Sequence, residues 1–487
     1  MKQIILIILI ILFNLSAQYE WSTPIQLSED GNYPATTNSF PAITVDSNGV
    51  IYAFWVRGIE TADPYQWNDH IEFRKSYDGG LTWTETENIT PENTESRLYR
   101  INAACDTQNN IHIIYKAEST MTYYKKYNGI GWSNQAEVYY CNNGTGLKLK
   151  IDSKDRIYAI MWSPSQTYYA YHEASDLNNS NWTVSCISAY ENMYMYDFTY
   201  DTDNNLHAVG SYYSFELSSS RPFYMKYDRS RERWGTMHLM DYIGEDSRAT
   251  TIVLTGTGIF QANVRYGDVS HLDNENYLYE KAITDTLWLN TGYINSYSTG
   301  NKKVIIDQCD SLHFFEGNND GYNNISLIYT YKKDGTWVSE YLHESDDLND
   351  FGSLNVAFNN NDRLYIVYER YLKENNYNYV YFQSKQVETG IDDSELTVPV
   401  TAKLYQNYPN PFNNETVISF SIPEPSEIQL NIYNIKGESV DKLISKKMNI
   451  GIHSVNFKAN VLNSGIYYYQ LTVNGKIVQT KSMLYLK

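Results

Sequence analysis

Residues 41–56 read PAITVDSNGVIYAFWV, in which two alternating apolar segments flank a short polar turn. Alternation with a period of two is typical of a β-strand that buries one face. Asp and Asn accept hydrogen bonds from the backbone of their own turn, and Gly tolerates a positive φ. The segment from Asp46 to Gly49 is therefore predicted to be a tight turn, and the whole stretch a β-hairpin.

The same pattern returns along the chain. Further copies lie at 101–117, 147–162, 196–213, 250–266, 302–317 and 354–370, which makes seven in all. Most copies are followed by a third strand, a short turn and a tryptophan, namely Trp83, Trp132, Trp182, Trp234, Trp288 and Trp337. A period near fifty residues with four short strands per repeat is typical of β-propeller blades. We therefore expect an all-β fold in which residues 18–386 form a seven-bladed β-propeller.

The seventh copy lacks this tryptophan, because the repeat region ends near Gln386. The stretch YEWSTPIQLS at 19–28 matches the fourth strand of other repeats, such as LTWTETENIT at 81–90. Trp21 is therefore predicted to lie in the outermost strand of the last blade. Pairing of this kind would close the ring and remove open sheet edges that recruit other chains.

The stretch SYDGGLTW at 76–83 resembles the Asp-box, Ser/Thr-x-Asp-x-Gly-x-Thr-Trp, of the sialidase-like (BNR-repeat) propellers. The residues on the pattern are Ser76, Asp78, Gly80, Thr82 and Trp83. In that family the box is a structural hairpin remote from the catalytic face. Degenerate copies recur at 126–132 and 331–337, and a repeated feature builds a ring more readily than it catalyses at one place. The resemblance implies a structural role for Asp78.

The composition narrows the choice of ligands. A net charge of −19 argues against a nucleic-acid partner, because phosphate backbones need a basic surface. The Asp-containing turns are explained by turn chemistry, and the chain has no HExxH, no CxxC and no nucleotide-binding glycine loop. We therefore predict no metal and no cofactor. The four cysteines are either buried thiols or disulfide-bonded, and their spacing gives no pairing.

Loop lengths indicate which face of the propeller carries a site. The turns between first and second strands and between third and fourth strands are short, so the longer connections share the opposite face. Binding residues concentrate on longer loops that a rigid scaffold carries. Candidate ligand-binding residues on that face are Arg57, Trp67, Arg100, Glu118, Arg248, Arg265, Glu316, Glu369 and Arg370, with Lys148 and Lys302 in similar positions. Converging arginines suit a carboxylated sugar, because guanidinium binds carboxylate through two parallel hydrogen bonds.

The stretch LYRIN at 98–102 resembles the Phe/Tyr-Arg-Ile-Pro motif of sialidases, with Asn102 where proline is usual. The resemblance implies that Arg100 binds a carboxylate. Sialidases also use a tyrosine nucleophile with a glutamate partner and an aspartate acid/base. The sequence does not indicate which of its 47 tyrosines would match, so the catalytic residues stay unknown.

Residues 1–17 are predicted to be a secretory signal peptide, because Lys2 precedes an apolar run from Ile4 to Phe13 and a small residue, Ala17, lies at the expected cleavage site. A run of about ten apolar residues is too short to span a membrane, which takes roughly twenty. No other stretch is longer, so we expect no transmembrane segment in the mature chain.

After a polar linker at 387–402, residues 403–487 no longer follow the sequence pattern of the repeats. Alternating runs and an Asn474-Gly475 turn predict a small antiparallel, immunoglobulin-like β-sandwich. Asn407-Tyr-Pro-Asn-Pro-Phe412, Ser464-Gly-Ile-Tyr-Tyr-Tyr469 and the lysine-containing final strand resemble the type A C-terminal sorting domain of the type IX secretion system. An ordinary accessory domain is the alternative.

The resemblance implies two exports, first to the periplasm and then across the outer membrane of a diderm bacterium. The type IX secretion machinery would then be a partner through 403–487, and the protein would be secreted or anchored at the cell surface. Three functions are open: a propeller that binds a glycan or another extracellular polymer, a sialidase-like glycosidase or polysaccharide lyase acting on acidic sugars, and an adhesive scaffold. Whether the protein is an enzyme is undecided at this point.

Overall fold

The computed structural model describes residues 20–29, 36–59, 68–90, 97–118, 120–141, 146–163, 166–173, 181–187, 192–216, 218–240, 247–266, 275–283, 285, 287–295, 302–319, 325–333, 335–344, 346, 349–359, 362–374, 377–387, 402–404, 407, 412–413, 415–422, 425–448, 451–459 and 462–486. The predicted signal peptide and nearly all of the predicted linker lie outside these residues. Every element in the described ranges is a β-strand, which confirms the all-β prediction.

The repeat region folds into mainly antiparallel sheets, in most of which the strands follow one another in chain order. The first and last sheets are joined into one, because Thr37 pairs in parallel with Asn378. The first strand in the described residues is β1 (Ile25–Gln26). Sheet 1 contains β2 (Thr36–Val45), β3 (Ile51–Ile59), β4 (His70–Ser76) and β5 (Glu87–Asn88). Sheet 2 contains β6 (Leu98–Cys105), β7 (Ile111–Ala117), β8 (Met121–Tyr127) and β9 (Ala136–Tyr140). Sheet 3 contains β10 (Gly146–Ile151), β11 (Arg156–Trp162), β12 (Thr167–Glu173) and β13 (Thr183–Cys186).

The later sheets repeat this arrangement. Sheet 4 contains β14 (Met193–Tyr200), β15 (Leu206–Ser214), β16 (Ser219–Asp228), β17 (Arg233–Trp234) and β18 (His238–Leu239). Sheet 5 contains β19 (Arg248–Leu254), β20 (Ile259–Tyr266), β21 (Glu275–Ala282) and β22 (Leu289–Asn295). Sheet 6 contains β23 (Lys302–Ile306), β24 (Leu312–Asn319), β25 (Ile325–Lys333) and β26 (Thr336–His343). Sheet 7 contains β27 (Asn349–Phe358), β28 (Arg363–Leu372) and β29 (Tyr377–Gln386).

The N-terminal strand β1 pairs with β29, the last strand of the repeat region. The pairing is antiparallel, with Ile25 opposite Phe382. The backbone N–H of Ser22 also donates to the carbonyl of Ser384 at 2.8 Å. Sheet 7 therefore gains its outer strand from the other end of the repeat region.

The tryptophans of the repeats pack between sheets. Trp132 of sheet 2 meets the edges of Phe54 and Phe73 in sheet 1, at ring-centroid distances of 5.9 and 5.4 Å. Equivalent contacts with the preceding sheet are Trp182–Tyr124, Trp234–Tyr169, Trp288–Tyr224, Trp21–Tyr329 and Trp83–Phe382. The fifty-residue spacing of tryptophan thus reflects one packing position used repeatedly.

The turns between first and second strands share one hydrogen-bond pattern. Oδ1 of Asp46 accepts from the backbone N–H groups of Asn48 and Val50, both at 2.9 Å. Asp106, Asp152, Asp201 and Asp307 accept in the same way within their own turns. Because each carboxylate satisfies its own turn, the recurrence of Asp follows from turn geometry.

The first strands of successive sheets contact one another in chain order, and β27 also contacts β2. Several of them are bulged near their start, namely β2, β6, β14, β19 and β27. At two of these bulges Phe40 and Arg100 have φ values of 53° and 58°, in the left-handed region that non-glycine residues rarely occupy. Bulges often redirect a side chain beside a binding site.

The chain divides into two compact units, residues 1–389 and residues 390–487. One sheet of the second unit contains β30 (Lys403–Leu404), β31 (Glu415–Ile422) and β34 (Gly451–Lys458). The other contains β32 (Ser426–Tyr433), β33 (Ser439–Met448), β35 (Gly465–Val473) and β36 (Lys476–Tyr485). Both sheets contribute to one hydrophobic core, as a small sandwich requires. Its immunoglobulin-like character stays a prediction.

Two residues of the Asn407–Phe412 motif are part of this core. The backbone N–H of Asn407 donates to the hydroxyl of Tyr469 at 2.8 Å, and its side-chain amide donates to Thr416 at 3.0 Å. Phe412 is 2% exposed and packs on Tyr485.

In the part of the chain that the structure describes, no helix could cross a membrane.

Candidate functional site

A cavity of about 220 Å³ lies where the first strands of the sheets converge. Strands β2, β6, β10, β14, β19, β23 and β27 all contribute to its wall, with β11 and β20 adding one residue each. The cationic residues of the wall are Arg100, Lys148, Arg248, Arg265, Lys302 and Lys303. Several of these lie where a first strand begins or a second strand ends, as the loop lengths predict.

The cavity brings together three of the arginines that the sequence singled out. Arg100, Arg248 and Arg265 all line it. None of the three guanidinium groups has a hydrogen bond or an ion pair to another described residue. Within the described part of the chain, Arg248 and Arg265 therefore lack the acceptors that buried or half-buried arginines normally have, whereas Arg100 is exposed and interacts electrostatically with Glu369.

Arg248 and Arg265 occupy directly opposite positions on β19 and β20. Like charges in such a cross-strand pair are destabilising. Arg265 is only 8% exposed, and its burial lowers the pKa of the guanidinium. A buried charge without a partner costs considerable free energy, so a ligand anion is the natural complement of this pair.

The lysines of the cavity wall differ from the arginines, because two of the three have carboxylate partners. Lys302 forms an ion pair with Glu316 at 2.9 Å, and Asn295 donates to the same carboxylate at 2.6 Å. Lys148 lies 3.8 Å from Asp197, a carboxylate that is also close to Lys150. The surplus positive charge of the cavity therefore comes mainly from the arginines.

Lys303 is the exception among the lysines. Burial lowers its pKa to about 7, and the nearby positive charge of Lys148 adds to the effect. Asp197 acts in the opposite direction but does not compensate. Its amine is thus poised to change charge near neutral pH, on the wall of the same cavity.

Glu369 supports the cavity wall from behind and is 9% exposed. Its carboxylate accepts a hydrogen bond from the backbone N–H of Phe40 at 2.6 Å and another from the hydroxyl of Ser353. Burial raises the pKa of this carboxyl group. Glu369 thereby holds two wall residues in place, one of them the strained Phe40.

The remaining described candidates from the sequence do not line the cavity. Arg57 pairs with Glu72 at 3.3 Å, and Arg370 lies over the ring of Tyr381. Glu118 is exposed in a turn after β7. Glu316 is fully buried behind Lys302, and Trp67 lies outside the described residues.

The wall also contains aromatic residues that the sequence did not single out. Phe40, Trp162 and Tyr196 line the cavity, and the hydroxyl of Tyr196 is 3.0 Å from that of Ser211. The only available signal was positional, because Trp162 ends a second strand in the same way as Arg265 does. Neither Tyr196 nor Lys303 could be distinguished from the many similar residues nearby.

The Asp-box stretch forms a turn whose hydrogen bonds are internal. The hydroxyl of Ser76 donates to Asp78 at 2.8 Å, and Thr82 donates to Asp78 from its backbone at 2.9 Å and its hydroxyl at 2.6 Å. The hydrogen bond from the Thr82 hydroxyl contributes most to lowering the pKa of Asp78, to about 2. The Trp83 indole donates to the Gly80 carbonyl at 3.1 Å.

Neither metal ligation nor disulfide bonding is apparent. Among the described residues, no group of three or more His, Cys, Asp or Glu side chains could hold a metal ion. No disulfide joins the four cysteines, all of which lie in described ranges.

Residues 406–485 match the family model of the secretion system C-terminal sorting domain. This match confirms the sorting tail predicted from the sequence and implies that the chain is exported to the cell surface or secreted. No curated protein matches the chain.

Several solved structures resemble the chain at low identity. A fungal alcohol oxidase of the AA5 family, in complex with copper, has a TM-score of 0.52 at 9% identity, covering 96% of this chain and 100% of its own. A PL25 ulvan lyase has a TM-score of 0.48 at 11% identity, covering 71% of this chain and 96% of its own. The NanB sialidase from Streptococcus pneumoniae has a TM-score of 0.40 at 12% identity, covering 78% of this chain and 71% of its own. At these identities the likeness concerns the fold alone.

Proposed function

We propose that the repeat region is a seven-bladed β-propeller, closed by the N-terminal strand, whose central cavity binds the acid group of an extracellular saccharide. The closure is supported by the pairing of β1 with β29 and by the contact of β27 with β2. It is supported further by Trp83 of sheet 1, whose ring lies 4.9 Å from that of Phe382 in sheet 7.

The observation that carries the binding proposal is a set of three arginines that form no hydrogen bond or ion pair with another described residue. Arg100, Arg248 and Arg265 reach one cavity from three different strands. A carboxylate or a sulfate ester would accept hydrogen bonds from these guanidinium groups and offset their mutual repulsion. The whole chain carries a net charge of −19, so the protein has no general attraction for anions. The positive charge of the cavity is therefore a local feature.

Export fits such a ligand. A chain with a sorting tail meets the polysaccharides of the cell surface and its surroundings, and these frequently carry carboxylates and sulfates. In this proposal 1–17 is removed as a signal peptide, 387–402 is the linker, and 403–487 engages the type IX machinery at the outer membrane of a diderm bacterium. The Asp-box residues Ser76, Asp78, Gly80 and Trp83 then stabilise the ring.

The alternative is that the cavity also turns over an acidic sugar. One observation favours it: the wall places Tyr196 and the arginines around one cavity of monosaccharide scale. A glycosidase or lyase needs an acid and a base within reach of the bound sugar. Release of sugar from a polymer, in addition to binding, would distinguish the enzyme from the binding protein.

A glycan array that contains uronate-bearing, sialylated, sulfated and neutral glycans tests the proposal with the mature chain. The wild type should bind acidic glycans selectively, and Arg265→Gln should weaken that binding at least tenfold, which corresponds to about 1.4 kcal/mol. Arg57→Gln is the matched control, because this arginine already pairs with Glu72 outside the cavity. Equal binding of neutral glycans, or unchanged binding by Arg265→Gln, would contradict the proposal.

A further inference from the structure

Gly146 and Trp162 lie directly opposite each other on β10 and β11, and both line the cavity. A Cβ atom built on Gly146 would lie 1.6 Å from Cε2 and 1.9 Å from Cζ2 of Trp162. The indole therefore crosses directly over the Cα of Gly146. Any residue with a side chain at position 146 would force the ring away.

A second aromatic residue also contacts the indole. Tyr196 of the neighbouring sheet meets Trp162 edge-on, with ring centroids 6.0 Å apart at an angle of 88°. The Tyr196 hydroxyl is in turn 3.0 Å from the hydroxyl of Ser211. Trp162 is half-buried and thus held by both contacts, while part of it faces the cavity.

The Gly146–Trp162 pair lies at the start of a first strand, a position that sheets 5 and 6 use for charged residues. In sheet 5 the first residue of the first strand, Arg248, lies opposite Arg265. In sheet 6 the first residue of the first strand, Lys302, lies opposite Glu316. In sheet 3 this position holds a glycine opposite an aromatic ring. An aromatic ring that served only to fill the core would not need to lie on the cavity wall among cations.

We propose that Trp162, held by Gly146, is a stacking platform for the pyranose ring of an acidic sugar whose acid group binds the arginines of the same cavity. This inference rests on the proposed function and adds the class of ligand, a hexuronate-type acidic pyranose. The C–H face of a pyranose packs on an aromatic ring, whereas a small inorganic anion gains nothing from one. The sheet 3 platform supplies affinity for the sugar, and the arginines supply affinity for its charge.

Isothermal titration of the mature chain with two probes, methyl β-D-glucuronide and inorganic sulfate, tests the platform. Gly146→Ala displaces the indole without removing it, and Trp162→Phe shortens the platform with little change in its packing role. Each should weaken glucuronide binding about tenfold, equivalent to 1.4 kcal/mol, while sulfate affinity stays within about twofold of the wild type. Gly131→Ala is the control, because nothing lies within 4 Å of its added Cβ.

Retained sulfate binding shows that a variant is folded with its arginines in place. If Gly146→Ala and Trp162→Phe bind glucuronide as the wild type does, or lose both probes by the same factor, the platform inference is wrong and the anion site stands. If the wild type itself binds neither probe, the inference falls together with the binding proposal on which it rests.

Discussion

Arg248 and Arg265 face each other across the β19–β20 pairing, and neither guanidinium has a hydrogen bond or ion pair to another described residue. Sheets avoid such pairs, because like charges directly opposite each other repel. In the proposed function, an anion that lies between the two groups offsets this repulsion. Such a combination of local instability with a defined cavity is typical of binding sites.

The first prediction concerns the stability cost of this pair. Arg265→Met should raise the free energy of unfolding by roughly 0.5–1 kcal/mol, because it removes the repulsion and keeps the apolar stem. The same variant should lose acidic-glycan binding. Urea denaturation of the mature chain measures the change.

Arg57→Met is the control for that experiment. It removes a partner of Glu72, so it should lower the free energy of unfolding by roughly 1–3 kcal/mol. If Arg265→Met instead lowers the free energy of unfolding by a similar amount, Arg265 has a structural partner and the account of the pair is refuted.

The second prediction concerns pH. Lys303 has a pKa of about 7, so its amine is charged below neutral pH and increasingly neutral above it. A bound anion favours the charged amine and raises its pKa, so binding at pH 8 should take up a proton. Affinity for methyl β-D-glucuronide should therefore fall as the pH rises from 6 to 8, by at most about tenfold for each unit above the pKa.

Titration calorimetry in two buffers of different ionisation enthalpy measures this proton uptake. Lys303→Arg keeps the charge but does not titrate in this range, so its binding should be independent of pH and of the buffer. If Lys303→Arg keeps the wild-type pH dependence, another group is responsible.

The third prediction concerns the Asp-box turn. Gly80 has φ = +94°, and an added Cβ would lie 2.2 Å from Cε1 of Phe382 in sheet 7. Gly80→Ala should lower the free energy of unfolding by roughly 2 kcal/mol or more, because strain and a clash coincide. Glycan affinity of the folded fraction should be unchanged, since the turn is separate from the cavity.

Gly129→Ala isolates the contribution of the clash. Gly129 has a similar φ of +87°, but nothing lies within 4 Å of its added Cβ, so about 1 kcal/mol is expected. Equal losses of unfolding free energy in the two variants would mean that the packing of Gly80 on Phe382 contributes nothing to the stability of the repeat region.

The fourth prediction concerns ring closure. Trp21 packs edge-on against Phe315 and Tyr329, at 6.0 and 5.6 Å, and is half-buried. Trp21→Ala should lower the free energy of unfolding by about 2 kcal/mol, less than for a fully buried tryptophan. Ile130→Ala, at a residue that is 93% exposed, should change it little. Indistinguishable effects of the two variants would argue against closure by the N-terminal strand.

The sequence predicted the features that depend on local chemistry. Asp46 and its counterparts predicted tight turns because a carboxylate satisfies its own turn, and the pairing of the stretch around Trp21 with β29 follows from its similarity to other fourth strands. The position of Arg100, Arg248 and Arg265 on one cavity follows because strand ends on one face converge, while their ligand-binding role stays a prediction. Repetition made these inferences possible, since each position of the repeat occurs several times in the sequence.

The features that the sequence did not reveal depend on side-chain partners from different strands. Arg57 looked equivalent to Arg265, but Glu72 neutralises it from the neighbouring strand, and no pattern in the sequence announces that pairing. The lowered pKa of Lys303 arises from burial and from Lys148, which is far away in the chain. Trp162 could be proposed as a stacking platform only from the structure, which shows that its indole lies over Gly146.

A crystal structure of the mature chain soaked with methyl β-D-glucuronide tests the central proposal most directly. The account predicts that the carboxylate lies within hydrogen-bonding distance of Arg248 and Arg265 and that the pyranose ring lies against Trp162. A sugar bound elsewhere on the ring, with the cavity occupied only by water, would contradict it.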